Sequence, residues 1–140
     1  MKEFRDGLTI DATKLDAELS KQAATYLFVA EKSIEAETQY ELFKVQLGQL
    51  RAAKDDKYRQ QLTEAKVKIT EALVSGEVER DEDYCTAQKQ LVALRANKEL
   101  LKAMREAYYM RKDLLIQMAI KARSEIEGML SESVKFKAAA

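Results

Sequence analysis

The sequence predicts an all-α fold: a long antiparallel helical hairpin, coiled-coil-like, with a short helix in its elbow, assembling into a homo-oligomer. Three observations predict it. The 140 residues contain no proline and four glycines, so there are few places to turn a chain rich in strong helix formers. Apolar residues recur at seven-residue steps in two long stretches, the signature of a helical seam. One stretch alone, Lys66 to Tyr84, interrupts that pattern.

Taken in order, residues 1–10 include Gly7 and no periodicity, which reads as a flexible N-terminal arm or short docking segment. Asp11 or Thr13 can cap the first long helix, with Asp16 and Glu18 at the positive end of its dipole. Leu19, Tyr26, Ser33, Tyr40 and Leu47 form one column, and Ala36, Phe43 and Leu50 form its neighbour. The run Thr25 to Ala30 is wider than a two-helix seam needs. Gly48 offers a place for a bend.

The elbow is expected over about 70–83, with Thr70 capping a short helix Glu71 to Val78 and Asp81 or Asp83 capping the last helix. There Ala87, Leu94, Leu101, Tyr108, Leu115, Ala122 and Met129 repeat at seven-residue steps. Where a second apolar column belongs stand Lys98, Arg105 and Lys112. Their stems can cover the seam while the heads reach water, or they form a basic row. The hairpin domain spans 11–133 and a C-terminal tail 134–140. The segment from Leu114 to Ile120 is apolar nearly all round, so a single hairpin partner leaves faces uncovered. Self-association follows as an expectation, through Tyr26, Leu27 and Phe28 and through Leu114, Leu115, Ile116 and Met118.

Net charge is zero, but it is a sum of segregated parts. Lys and Arg against Asp and Glu balance at −3 over residues 1–50, +3 over 51–68, −5 over 71–83, +6 over 84–123 and −1 over 124–140. An elbow centred in the interruption would bring residues near 50 opposite those near 100, and Tyr40 and Phe43 near Tyr108 and Tyr109. Arg51, Lys54, Lys57 and Arg59 would then share one surface with Lys89, Arg95, Lys98, Lys102 and Arg105. Clustered cations suit a phosphate backbone, and Tyr58, Tyr108 and Tyr109 offer rings for unpaired bases, Tyr108 being the one that its column assigns to the core.

Histidine is absent and cysteine occurs once, at Cys85. Imidazole bases, His-based triads and Cys- or His-built metal sites are therefore excluded, and a disulfide within the chain is impossible. No glycine-rich phosphate loop occurs. The acidic stretch Glu77 to Asp83 lacks the spacing of a calcium loop. The expectation is a non-enzymatic protein without cofactor or metal, with no membrane segment and a cytoplasmic home.

Ile10-Asp11-Ala12-Thr13-Lys14-Leu15 opening the first helix, the basic run Leu50-Arg51-Ala52-Ala53-Lys54 followed by Tyr58, and the Ser75-Gly76 break before a long last helix together resemble the UvsY-type recombination mediators of tailed phages. Lys68-Ile69-Thr70-Glu71 with Asp83-Tyr84 is similar to a segment of small helical phage proteins associated with recombination genes. The resemblance implies a ring-like homo-oligomer that binds single-stranded DNA. It also implies contacts with a single-strand-binding protein and a RecA-like recombinase, which it helps to load in place of the former. It places DNA contacts at Arg51 and Lys54, extended by Lys57, Tyr58 and Arg59, although here two alanines split the basic pair. The alternative from another class is a coiled-coil oligomeric adaptor, such as a phage protein inhibiting a host system, that binds only protein.

Overall fold

A computed structural model describes all residues, Met1–Ala140. It is all-α. In order come α1 (Lys2–Asp6), a 3-10 turn (Ala12–Lys14), α2 (Leu15–Glu64), α3 (Glu71–Arg80) and α4 (Glu82–Ala139). None of these helices is long and apolar enough to cross a membrane. The chain divides into two compact units: Met1–Lys32 with Lys102–Ala140, and Ser33–Leu101.

In the second unit α2 and α4 lie antiparallel. Lys54 meets Asp81 and Asp83, and Tyr40 meets Arg95 and Lys98. Ser33, Ala36, Tyr40, Tyr84 and Leu101 are buried along this seam. The reversal is made immediately after Glu64. The Val67 amide donates to the Leu62 carbonyl and the Lys66 amide to the Thr63 carbonyl, both at 3.0 Å, with Lys66 left-handed at φ 57°. That is a Schellman closure, which satisfies the orphan carbonyls of the last helical turn.

Thr70 caps α3, its hydroxyl accepting from the Leu73 amide at 3.2 Å. The first residue of α3, Glu71, lies beside Arg59, and Asp81 at its other end lies beside Tyr58 and Lys54. α3 therefore folds back across the end of α2. Its Val74 and Val78 are fully enclosed, each burial contributing roughly 1.5–3 kcal/mol. Asp81 is extended at φ −62° and ψ 128° and accepts from the Tyr84 amide at 3.1 Å, capping α4.

These facts correct the expected register. α3 belongs to the return path and not to the tip, so the pairing centres on the 65–70 turn. Tyr40 meets Arg95 and Lys98 in place of Tyr108, a displacement of about three helical turns. Gly48 marks no interruption, since α2 is helical through it.

In the first unit Val29, Met104, Tyr108 and Leu115 form the apolar core, joined by the buried polar pair Gln22 and Arg111. Again α2 and α4 run antiparallel: Gln22 donates to the Tyr108 carbonyl at 2.7 Å, and Glu18 pairs with Arg111 further along. The first ten residues are docked rather than free. The Tyr108 hydroxyl donates to the Phe4 carbonyl at 2.7 Å, Arg111 donates to the carbonyls of Leu8 and Thr9 at 3.2 Å, and Phe4 stacks on Phe28 at 5.9 Å. Asp11 then caps the 3-10 turn leading into α2 by accepting from the Thr13 amide. At the other end α4 continues through the expected tail to Ala139.

Candidate nucleic-acid interface

The basic run of α2 lies in the second unit and is largely engaged from within. Lys54 is 13 % exposed and bonds Asp83 at 2.6 Å and Asp81 at 3.1 Å, which hold its ammonium above the usual lysine range, Asp83 most strongly. Tyr58 donates to Asp81 at 2.7 Å. That hydrogen bond, with the Tyr84 amide and Lys54, holds the Asp81 carboxyl down at about 2 and pushes the Tyr58 phenol up. Arg59 bonds Glu71 at 2.7 Å and Asp55 at 2.5 Å, and its guanidinium is raised by the same two partners. Arg51 is exposed without an ion pair, and Lys57 is exposed over the Tyr58 ring at 5.2 Å.

The acidic α3–α4 junction thus neutralises part of the run from within. Charge counting along the sequence located both signs but not their pairing.

The basic row of α4 takes a different form. Lys98 lies 4.5 Å over the Tyr40 ring with Glu99 at 3.6 Å, and Arg95 donates to the Tyr40 hydroxyl at 3.2 Å. This cation–aromatic cluster sits where a second apolar column was expected. Lys102 and Arg105 belong to the first unit. Lys89, Arg95 and Lys98 share the second unit with the 51–59 run, but Arg95 and Lys98 are held at Tyr40, whereas Lys54 and Arg59 meet Asp81, Asp83 and Glu71.

In the first unit Arg105 lines an open cleft of about 430 Å³ with Tyr26, Glu106, Tyr109 and Met110. Tyr26 and Tyr109 are tilted at 60° with centroids 6.1 Å apart, and Lys112 lies 4.2 Å over the Tyr109 ring. The far side of the same tyrosine pair opens on a second cleft of about 390 Å³, floored by Leu19, Ala23 and Ile116. Tyr109 is 53 % exposed, whereas Tyr108 is enclosed. Lys102, one turn from Arg105 and Glu106, is exposed without an ion pair.

This surface offers features that suit single strands: the exposed ring of Tyr109 and the cations Lys102 and Arg105, with Lys112 shared between that ring and Asp113 at 3.5 Å. Tyr26 belonged to an expected subunit contact and Lys112 to the basic row. Their meeting at Tyr109 follows from the register and not from local sequence.

Of the expected subunit contacts, Leu27, Phe28, Leu114 and Ile116 are exposed, and Tyr26 and Met118 half-buried. Leu115 is wholly enclosed within the first unit, because it follows Tyr108 by one heptad on the face turned to α2. It offers nothing to a second chain.

Sequence reasoning missed Gln22 and Arg111. Arg111 bonds Glu18, the Gln22 carbonyl oxygen at 2.8 Å and two backbone carbonyls. A faint signal existed, since Gln22 precedes Val29 and Ala36 at seven-residue steps. Cys85 is half-buried and donates to the Glu79 carbonyl at 3.1 Å. No group of three or more acidic or cysteine side chains is placed to hold a metal ion. No protein-family model matches this chain, and comparison with curated proteins and with solved structures finds no match either.

Proposed function

We propose that this chain is a recombination mediator: a self-associating helical protein that binds single-stranded DNA without sequence preference and helps load a RecA-like recombinase in place of single-strand-binding protein. The observation that carries the reading is the exposed ring of Tyr109, backed by half-buried Tyr26 and flanked by Arg105 and Lys112. An unpaired base stacks on the open face of Tyr109 while neighbouring phosphates meet Arg105, Lys102 and Lys112. Base–aromatic stacking contributes about 1–3 kcal/mol per base and tolerates any sequence. Arg51, Lys57 and Lys98 add cations in the second unit. Lys54, Tyr58 and Arg59 contribute to DNA only where phosphate displaces their present carboxylate partners. Repetition of these sites in an oligomer converts modest contacts into avidity for a long strand.

Anisotropy titration of labelled oligothymidine at several salt concentrations tests the reading. Affinity is expected to fall steeply with salt, with a log–log slope of about −0.7 per phosphate neutralised. Tyr109→Ala is expected to weaken binding roughly 5- to 100-fold, and Lys102→Glu with Arg105→Glu to flatten the slope. Absence of binding at low salt overturns the proposal. The recombinase-loading step is read by the lag in filament assembly on strands coated with single-strand-binding protein.

A protein-only adaptor is the second reading. The observation favouring it is the stripe Ile34, Leu42 and Val45 on α2, exposed by 55–60 %. Persistent self-association together with indifference to DNA selects it.

A further inference from the structure

The face of α4 that packs on α2 in the first unit does not stop where α2 does. Met104, Tyr108 and Leu115 are buried on it, and Ala119 and Ala122 are half-buried. A shallow cleft edged by Ala12 to Ala17 and Ala122 marks the level at which the covering segment begins. From residue 123 onward every residue is exposed. Yet Ile126, Met129, Ser133 and Phe136 follow Ala122 at alternating steps of four and three, so the seam runs on for nearly four more turns with Leu130 and Val134 at its edge. Ile126, Met129, Leu130, Val134 and Phe136 are 58–78 % exposed. A helical overhang of this length is marginal in water when nothing covers its apolar stripe.

We infer that a second copy of this chain covers it, the two overhangs lying antiparallel about Met129. Three observations select that occupant. Reversed about Met129, the stripe is complementary to itself: Met129 meets its own counterpart, Ala122 stands opposite Phe136 of the second copy and Ile126 lies within one residue's rise of its Ser133, so small meets large on either side of the central layer. The reversed copy continues the line of α2 along the seam and leads its own body away. A parallel copy would have to pass its preceding turns through the space α2 already fills beside Leu115.

The third is area. Ile126, Met129, Leu130, Val134 and Phe136 are 58–78 % exposed, which gives the pair at most roughly 1,200 Å² to bury, the low end of the range for a specific interface. Lys121–Glu125 and Arg123–Glu127 pair within the helix, leaving the stripe itself free of charge. Glu125 approaches Glu132 of the second copy, so the contact holds or tightens as salt rises, opposite in sign to DNA binding.

The inference rests on the self-association in the proposed function and deepens it. Sedimentation of the full chain is expected to show association that Ile126→Glu with Met129→Glu weakens roughly 100-fold. Unchanged sedimentation of that variant, or a monomeric parent chain, overturns it. In a Cys85→Ser background, oxidation of an equimolar mixture of Ala122→Cys and Phe136→Cys chains is expected to yield the mixed disulfide, whereas Ala122→Cys alone stays uncrosslinked. Equally fast crosslinking of Ala122→Cys alone overturns the antiparallel arrangement. Oligothymidine titration of the Tyr109→Ala and parent chains separates the two readings: DNA binding that depends on Tyr109, with no effect of the Ile126→Glu and Met129→Glu pair on association, leaves the mediator standing and removes this interface.

Discussion

Asp81 in the second unit and Arg111 in the first each gather several groups around one charge, and they do so by opposite routes. Asp81 is a helix cap. Its carboxylate takes the Tyr84 amide three residues on, then Tyr58 and Lys54 from α2. Arg111 stands in the middle of α4, 7 % exposed at the side chain, and takes Glu18, Gln22 and the carbonyls of Leu8 and Thr9. The anion consumes a lysine of the basic run and makes that surface less attractive to phosphate. The cation spends only its own charge, leaving Arg105 and Lys112 beside the tyrosine pair. Where a unit satisfies its polar seam thus decides which of its cations remain for a ligand.

The strongest way to break the comparison is at Arg111. Arg111→Met leaves Glu18, Gln22 and two carbonyls without their shared donor, and removing one partner of a buried pair costs about 3 kcal/mol. Urea denaturation is expected to show that loss. Hydrogen exchange is expected to accelerate through residues 1–14, which Arg111 helps hold down. Exchange that stays at the parent rate in this segment would show the docking to be independent of Arg111.

A smaller effect is expected at Gly7. A Cβ there would overlap the Tyr108 hydroxyl, so Gly7→Ala must move α1 or break the bond from Tyr108 to the Phe4 carbonyl. A loss of roughly 1–2 kcal/mol is expected. Tyr108→Phe removes the same bond without the overlap, and combined with Gly7→Ala it is expected to cost less than the sum, as read in a double-mutant cycle.

The Asp81 node is best probed by pH. Its folded carboxyl titrates at about 2 against an ordinary value of 3.8, held down first by Tyr58 and then by the Tyr84 amide and Lys54. A depressed folded pKa adds stability in full above the ordinary value, and that contribution is lost as pH falls from about 4 toward 2. Glu71, lowered by Arg59, acts with the same sign. The stability gap between the parent and Asp81→Asn is therefore expected to be constant above pH 5 and to close toward pH 2. Asp81→Asn also frees Lys54 in part, and under the proposed function it is expected to steepen the salt dependence of DNA binding by up to about 0.7 in slope.

The two nodes also show why one half of this molecule was easier to read than the other. Thr70 and Asp81 act on backbone amides three residues away, and such caps are visible in a four-residue window. The seven-residue columns were equally visible, and Tyr40, Leu101, Tyr108 and Leu115 are buried where the columns place them. Register was not visible, because it depends on which side of α3 the chain reverses, and the apolar pattern fits either choice. Arg111 could not be read at all. Its partners include backbone carbonyls of residues 8 and 9, which have no side-chain signature, and an arginine beside an apolar column looks the same whether buried or solvated. The tyrosine–cation cleft shares that opacity, since Tyr26 and Tyr109 meet only once register is known.

The smallest expected effect tests the register directly. The turn that sets it closes on Lys66, a non-glycine residue at φ 57°, where the clash of Cβ with the following carbonyl costs about 1–2 kcal/mol. Lys66→Gly removes that cost but gives the unfolded chain more freedom, a loss of about 0.4–1 kcal/mol. The balance is a gain of roughly 0.5–1 kcal/mol. Because the Val67 and Lys66 hydrogen bonds are backbone bonds, the substitution leaves the closure and the register intact. Equilibrium unfolding is expected to show a higher midpoint with an unchanged denaturant slope. Destabilisation at Lys66→Gly would mean that residue 66 is not left-handed and that the reversal lies elsewhere, which would return Tyr40 toward the register first expected from the sequence.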